Sequence, residues 1–410
     1  MRITHLSLTN FRNYARLELT IPRGSVLLHG DNAQGKTSLL EAVYYLATSR
    51  SPYTTSDREL INWLVEEDPL PFARLVAEVE TKEDTRRIEV TVVNEQRGRH
   101  RRSAKEVRGN SVRRRVMDLL GQVRVVMFLP RDLSLIEGSP SLRRRYLNIT
   151  LCQADQTYCR AVSDYEKTLR QRNALLRQFQ ERGGQGDFSQ FDFWDERLAE
   201  DGATIVRGRY ALVRELERRA QEIHRELSGE GEHLRLRYEP GFDAAEASSP
   251  EGQLAFGAGE LGAAALPQLS HRKLSEHFHA ALVAGRRHHA RRGVTTIGPQ
   301  RDEMRFLVNR RDLGMYGSRG QNRTAVLALK LAELGWMRDI SGEWPILLLD
   351  EVAAELDPNR RRYLLQSINQ AEQVLLTTTE PSLLTDAFLE SAQEWHVKAG
   401  TITIKNGHNL

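Results

Sequence analysis

Gly30-Asp-Asn-Ala-Gln-Gly35-Lys36-Thr37 constrains the fold of this chain more than any other stretch. It follows a short apolar run, Ser25-Val-Leu-Leu-His. It precedes a segment, Gly35 to Thr48, whose apolar residues Leu39, Leu40, Val43, Tyr44 and Leu46 recur at helical spacing. A buried strand, a glycine-bearing loop and a helix in that order make a phosphate-binding loop. The glycines let backbone N–H groups close around phosphate oxygens, and the helix N-terminus adds its positive dipole. Lys36 is placed to reach the β and γ phosphates, and the Thr37 hydroxyl to bind Mg²⁺. Gly30, Asp31, Asn32, Ala33, Gln34, Gly35, Lys36 and Thr37 are therefore the expected nucleotide cradle. The strand feeding it is expected in a sheet covered on both faces.

A second element lies more than three hundred residues on. Ile346-Leu-Leu-Leu349 is a continuous apolar strand that ends in Asp350-Glu351. A carboxylate at the C-terminal edge of such a strand can hold Mg²⁺ beside a phosphate loop. Asp350 is the expected metal residue together with Thr37, and Glu351 is placed to polarise an attacking water. The third element is Ser318-Arg-Gly320-Gln321-Asn-Arg323, ahead of a helix expected from Gln321 to Met337. Alone it reads as a helix N-cap. Beside the other two it resembles the S-x-G-Q signature of ABC-type ATPases, in which open N–H groups at a helix start bind an anion. One chain cannot wrap its own nucleotide with both sites. The pair therefore predicts a head-to-tail dimer with ATP between protomers, Ser318, Gly320 and Gln321 of one facing the γ-phosphate held at Lys36 of the other. Glu355-Leu356-Asp357 resembles the D-loop of such a seam. Thr379, at the end of the following strand, stands where many of these ATPases place a switch histidine.

A compact nucleotide domain does not need three hundred residues between these motifs, so something is inserted. From 131 to 230 the pattern is helical: Tyr146–Val162 with Tyr165–Phe179 as one arm, then Phe188–Leu227 after a glycine-rich break. Heptads are not sustained, which predicts a helical lobe and not a long coiled coil. Residues 240–268 are rich in Gly, Ala, Pro and Ser and read as a loop. The expected division is a head from 1–130 and 295–410 and an inserted arm from 131–294, with the signature segment 318–335 at the boundary. The fold class is α/β: an ABC-type head of mixed sheet and helices, like Rad50 and SMC heads without the coiled coil.

Composition narrows the class further. No run approaches the roughly 20 apolar residues of a membrane span, and the N-terminus lacks a secretion signal. Cys152 and Cys159 are too few for a disulfide framework and read as core thiols. A cytoplasmic chain is expected. The net charge is only +4, but the basic residues cluster. Arg97, Arg99, Arg101, Arg102, Lys105, Arg108, Arg113, Arg114 and Arg115 face one acid, Glu106. Shorter runs occur at Arg143–Arg145, Arg286–Arg292 and Arg360–Arg362. Clustered guanidinium groups are the footprint of a nucleic-acid surface; the plain alternative is a solvated face. His271, His277, His279, His288 and His289 read as surface histidines.

The motifs converge on one resemblance, which spans nearly the whole chain. Leu8-Thr-Asn10-Phe11-Arg12-Asn13-Tyr14, the phosphate loop, Phe128-Leu-Pro-Arg131-Asp132-Leu with Glu137-Gly-Ser-Pro140 and Arg143–Arg145, Gly298-Pro-Gln300-Arg301-Asp302, Ser318–Arg323 and Leu349–Asp357 resemble the RecF family. Three departures stand out: Ala33 where Gly is usual, Gln300 where His is usual, and Arg131 where an acid is usual. The resemblance implies a slow, DNA-stimulated ATPase that uses ATP and Mg²⁺, dimerises on ATP, and adds Arg12 to the nucleotide-binding set. It further implies binding to DNA at single-strand gaps and junctions, and work with RecR and RecO to load RecA in recombinational repair and the SOS response. Arg97, Arg99, Arg101, Arg102, Arg113, Arg114 and Arg115 are the expected DNA contacts, directed at phosphates and therefore salt-sensitive. A structural SMC-type head would need sustained heptads or a hinge domain. A transporter ATPase would need a membrane partner, and a small-molecule kinase would leave Ser318–Arg323 unexplained.

Overall fold

The computed structural model describes residues 1–97, 100–229, 231–242 and 266–404, and no side chain of 95–102. The strands are β1 (Arg2–Phe11), β2 (Tyr14–Thr20), β3 (Gly24–His29), β4 (Phe72–Glu80), β5 (Thr85–Arg97), β6 (His100–Gly109), β7 (Val112–Arg114) and β8 (Val125–Phe128). They continue with β9 (Leu234–Glu239), β10 (Glu303–Val308), β11 (Arg311–Asp312), β12 (Ile346–Asp350), β13 (Gln373–Thr378), β14 (Ala392–Lys398) and β15 (Thr401–Ile404). The chain divides into two compact units, Met1–Asp132 with Lys330–Leu410, and Leu133–Leu329. Residues 295–329, given to the head from sequence, thus pack with the helical unit, and the division falls inside the helix Arg319–Ser341.

In the first unit, β15-β14-β3-β13-β12-β8 form a sheet that is parallel from β14 to β8. Strands β8, β12 and β13 are buried along their whole length, as continuous apolar runs in a doubly covered sheet should be. All the parallel strands end at one edge, so His29, Asp350 and Thr378 arrive there together, with β13 between the other two. The second sheet, β2-β1-β4-β5-β6-β7, is antiparallel. Its alternating inward residues, among them Leu6, Leu8, Leu75, Ile88, Val90 and Val92, share one core with Leu39, Leu40 and Val43 of the helix Lys36–Thr48 and with Val26, Leu348 and Trp395. Within the basic segment, β6 and β7 extend the sheet at its edge.

The second unit is built on the helix Asp192–Ser228, which carries a buried stripe including Leu198, Ile205, Val206, Leu212, Val213 and Leu216. Gly202 and Gly208 sit mid-helix, where glycine costs about 1 kcal/mol against alanine. A Cβ at Gly202 would stand 2.5 Å from the Phe278 ring, and one at Gly208 2.7 Å from Tyr158, so both admit an aromatic ring against the backbone. The first arm breaks at residues 153–155 and not after Val162: helices Pro140–Cys152 and Gln156–Glu181 are separated there. The Asp155 carboxylate accepts from the N–H groups of Thr157 and Tyr158, an N-cap that starts the second helix. Strands β9, β10 and β11 form a small antiparallel sheet in this unit. Of the expected 240–268 loop, residues 243–265 lie outside the described residues. Cys152 and Cys159 are buried free thiols. No helix among the described residues is long and apolar enough to cross a membrane.

Several basic runs turn out to be structural. Arg143 is buried, makes a bidentate pair with Glu303 (2.6 and 2.7 Å) and donates to Gly138 O (2.8 Å). Arg144 donates to Asp302 O (2.8 Å). Arg361 holds the carbonyls of Ala353, Leu356 and Leu383. Arg286 is taken by Asp192 and Asp195, at 2.6 Å each. His289 is buried, not on the surface, and lies 3.3 Å from Arg172 Nη1. Burial, with the Arg172 charge, pushes its pKa down to about 3, so it stays neutral.

Candidate nucleotide site

The phosphate loop is held from outside as well as by its own turns. Gly30 has φ 143°, and a Cβ there would stand 2.3 Å from Val397 O. No side chain fits, and the left-handed backbone suits glycine alone. Asn13 Nδ2 donates to Gln34 O (2.9 Å) and the Tyr14 hydroxyl to Gly35 O (3.0 Å). From the β14–β15 turn, Gly400 N donates to Gln34 O (3.0 Å) and Ala399 N to Gln34 Oε1 (2.8 Å). Burial pushes the Tyr14 pKa well up, so its hydroxyl remains a donor. The Asn13-Tyr14 pair thus acts as a brace behind the loop.

Lys36 is buried and surrounded by oxygen. Its Nζ donates to Gly30 O (2.6 Å) and Asp31 O (3.0 Å) and lies 3.3 Å from Glu351 Oε1. Asp350, arriving on β12, accepts at Oδ1 from the hydroxyls of Thr37 and Thr377, both at 2.8 Å. Thr377 lies on β13, the strand between β3 and β12, so its hydroxyl fills the gap that the strand order creates. Glu351 adopts φ 52°. Its N–H is held by Thr377 Oγ1 (3.0 Å), and its carboxylate accepts from Thr379 N (3.1 Å). Thr379, expected at this site for its side chain, reaches Glu351 through its backbone. The Thr37 and Asp350 oxygens are hard donors of the kind Mg²⁺ selects. Among the described residues no cluster of three or more His, Cys, Asp or Glu could hold a metal. A cation on Thr37 and Asp350 would complete its shell from phosphate and water.

Tyr53, Arg131 and Glu41, none of them assigned to the site from sequence, complete the centre. The Tyr53 hydroxyl donates to Asp350 Oδ2 (2.5 Å), and the Arg131 guanidinium lies over its ring at 4.4 Å. Burial first, then the Asp350 charge, pushes the Tyr53 pKa far up, so it too stays a donor. Arg131, one of the departures from the family pattern, thereby has a partner. Glu41, on the phosphate-loop helix, is bidentate with Arg12 (2.8 Å twice) and accepts from the Ser51 hydroxyl. Arg12 Nη1 also donates to Glu59 O (2.8 Å). Arg12, assigned to the nucleotide by resemblance, here pairs with this helix and the segment behind it.

Ala33 has φ 63°. An L-residue there costs about 1–2 kcal/mol, whereas glycine costs about 0.5–1 kcal/mol in chain entropy. Ala33→Gly is therefore expected to leave stability unchanged or raise it by up to about 1 kcal/mol, against the usual direction for Ala→Gly. A urea melt showing a loss of that size would mean the loop is not strained at this residue.

In the second unit, Ser318 and Gln321 cap one another. Gln321 N donates to Ser318 Oγ (3.2 Å) and Ser318 N to Gln321 Oε1 (3.0 Å), a reciprocal capping box. Gln321 Nε2 is further tied to Glu232 Oε1 (2.7 Å). The helix-cap reading is thus realised here, and a phosphate would have to displace these internal partners. A Cβ at Gly320 would meet only Ser318 Oγ, at 3.9 Å, so the approach beside it is open.

The expected DNA contacts are only partly visible. The side chains of Arg97, Arg99, Arg101 and Arg102 lie outside the described residues. Arg113, Arg114 and Arg115 are exposed at the sheet edge, with Arg113 3.6 Å from Glu106 and Arg115 paired with Asp118. Lys105 turns inward to Ser49 O (2.7 Å) and Asp57 (3.1 Å).

With the geometry in place, the comparisons are decisive. The family model for the RecF/RecN/SMC N-terminal domain matches residues 2–402. The chain is 40% identical over 410 residues to the DNA replication and repair protein RecF of Chloroflexus aurantiacus, covering 98% of this chain and 99% of that one. It is 35% identical over 406 residues to the protein of the same name from Halalkalibacterium halodurans, covering 99% and 100%. A solved structure described as the recombination mediator protein RecF-ATP in the RecFOR pathway superposes with a TM-score of 0.78 at 28% identity, covering 98% of this chain and 97% of that chain. Mixed sheets, motif order and inserted helical unit all agree with an ABC-type ATPase fold, and the chain belongs to the RecF family.

Proposed function

We propose that this chain is an ATP-driven DNA-binding switch of recombinational repair. The observation that carries the nucleotide half is the hydrogen bond from Thr37 to Asp350, 2.8 Å across 313 residues of sequence. It joins the phosphate loop to the acidic strand end as a Mg²⁺-nucleotide site requires. The repair half rests on relatives named DNA replication and repair protein RecF. In this reading the loop from Gly30 to Thr37 binds ATP, and Lys36 reaches its β and γ phosphates. Thr37 and Asp350 hold Mg²⁺, which would neutralise charge on those phosphates. Glu351, steered by Thr379 N and Lys36, takes a proton from the attacking water. Ser318, Gly320 and Gln321 of a second protomer release their mutual cap and bind the γ-phosphate, closing a head-to-tail dimer. That dimer grips gapped or duplex DNA through exposed arginines, hydrolysis resets it slowly, and RecR and RecO connect it to RecA loading.

Glu351→Gln separates binding from hydrolysis. With ATP and Mg²⁺, light scattering should show a stable dimer that retains a gapped duplex, while the parent protein cycles back to monomer. A variant that stays monomeric at saturating ATP would remove the sandwich from this reading. Loss of ATP binding itself would remove the site.

A further inference from the structure

The helix Gln156–Glu181 and the short helix Arg286–Arg292 are more than a hundred residues apart in sequence, yet they dock at one end of the second unit. Gln180 Nε2 donates to Arg291 O (3.1 Å). Arg291 Cγ lies 3.4 Å from where a Cβ on Gly184 would stand, and Arg177 Cγ 3.5 Å from the same point on Gly293. The docked segments carry Arg177, Arg182, Arg287, Arg291 and Arg292, all exposed. Among the described residues none of the five has a carboxylate at ion-pair distance, although Glu181 lies exposed beside Arg182.

The same short helix shows what a structural arginine looks like here. Arg286 points inward to Asp192 and Asp195, and the buried Arg172 shares Asp195 at 2.6 Å. Inward arginines are matched with acids, while the outward five are exposed. Like charges brought together without counter-charge oppose folding, so the cluster is better explained by an external anion. Arg287 and Arg291 are four residues apart, about 6 Å along the helix axis, so they address successive phosphates rather than one. Guanidinium forks suit phosphate oxygens in particular.

We propose that this end of the helical unit is a second nucleic-acid surface, which takes the phosphate backbone of duplex DNA without reading sequence and does so through residues other than Arg113–Arg115. It rests on the reading that the protein binds DNA, and it names a further place where it does so. Neither basic segment alone reveals it, because the run at Arg286–Arg292 is half structural and Arg177 and Arg182 form no run.

The test uses the full chain with ATP and Mg²⁺ on a fluorescent gapped duplex, titrated at three salt concentrations. Two double variants, Arg287→Gln with Arg291→Gln and Arg177→Gln with Arg292→Gln, are compared with Arg113→Gln/Arg114→Gln. Each tip pair should weaken binding by about tenfold or more at 0.1 M salt and reduce the log–log salt slope by roughly 1–2. Glu181→Gln should strengthen binding. Melting curves and ATP-induced dimerisation should match the parent, since these side chains touch no folded partner acid. Parent-like affinity and slope in both tip variants overturns the proposal, whether or not they lose some acidic protein partner. If only the Arg113/Arg114 variant weakens, DNA binding stands and the tip falls. If the parent binds no DNA even at low salt, the DNA-binding reading itself falls first and takes the tip with it.

Discussion

Lys36→Met should weaken ATP binding by at least about a hundredfold, because the ammonium group is the single strongest phosphate ligand the loop offers. Nζ is buried, within 3.3 Å of three oxygens, the carbonyls of Gly30 and Asp31 and the carboxylate of Glu351. Those contacts hold the charge at the mouth of the loop and place it where β and γ oxygens would arrive. A hydrogen bond to a charged group contributes about 1.5–3 kcal/mol, and two such bonds to phosphate make at least about 3 kcal/mol. At 1.4 kcal/mol per decade that is two orders of magnitude in Kd. Methionine keeps the length and packing of the stem, so the fold should survive; a melting curve close to the parent is the control. Calorimetric titration with ATP is the measurement, and unchanged affinity would remove the phosphate-loop assignment. The same variant should fail to dimerise on ATP, since in the proposed sandwich the nucleotide is the joint.

What the sequence disclosed and what it concealed follow from the same physics. Strands β3, β12 and β13 were legible because a sheet covered on both faces demands unbroken apolar runs, and Leu347-Leu-Leu349 can satisfy little else. The phosphate loop was legible because its residue types are dictated by backbone approach to phosphate. β6 was not. From His100 to Gly109 it carries Val107 as its only large aliphatic side chain, so there is no alternation to detect. Its strand conformation comes from pairing with β5. The contacts of Tyr53 and Glu41 were hidden for a different reason. Each is a single ordinary residue whose role depends on a side chain brought to it by the fold: Asp350 for Tyr53, Arg12 for Glu41. Arg12 lies inside a recognisable motif, and here its guanidinium braces the site from behind. The signature segment allowed two readings, because a Ser and a Gln three apart at a helix start can form a capping box as readily as an anion site, and here they form the cap.

Gly298-Pro-Gln-Arg-Asp302 looks like a functional motif, yet the structure makes it a staple. Asp302 is buried and accepts from Arg209 Nη1 (2.7 Å), from Gly241 N (2.7 Å) and from the Tyr238 hydroxyl. Arg209, buried too, also holds Pro299 O (2.7 Å) and Asn148 Oδ1 (2.9 Å), so one ion pair ties the central helix to β9, β10 and the loop between them. Removing one partner leaves a buried charge uncompensated, which typically costs about 3–5 kcal/mol. Asp302→Ala should therefore lower the melting temperature of the helical unit by roughly 6–20 °C, at about 2–4 °C per kcal/mol for a unit of this size. If the loss comes from the stranded Arg209 charge, then Asp302→Leu combined with Arg209→Met should recover much of it, because removing both charges is far less costly than removing one. A motif serving the nucleotide directly would behave otherwise. Well below the melting temperature, ATP affinity at Lys36 should be close to that of the parent in both variants. A variant that melts like the parent but loses ATP binding would move the motif from the scaffold to the site.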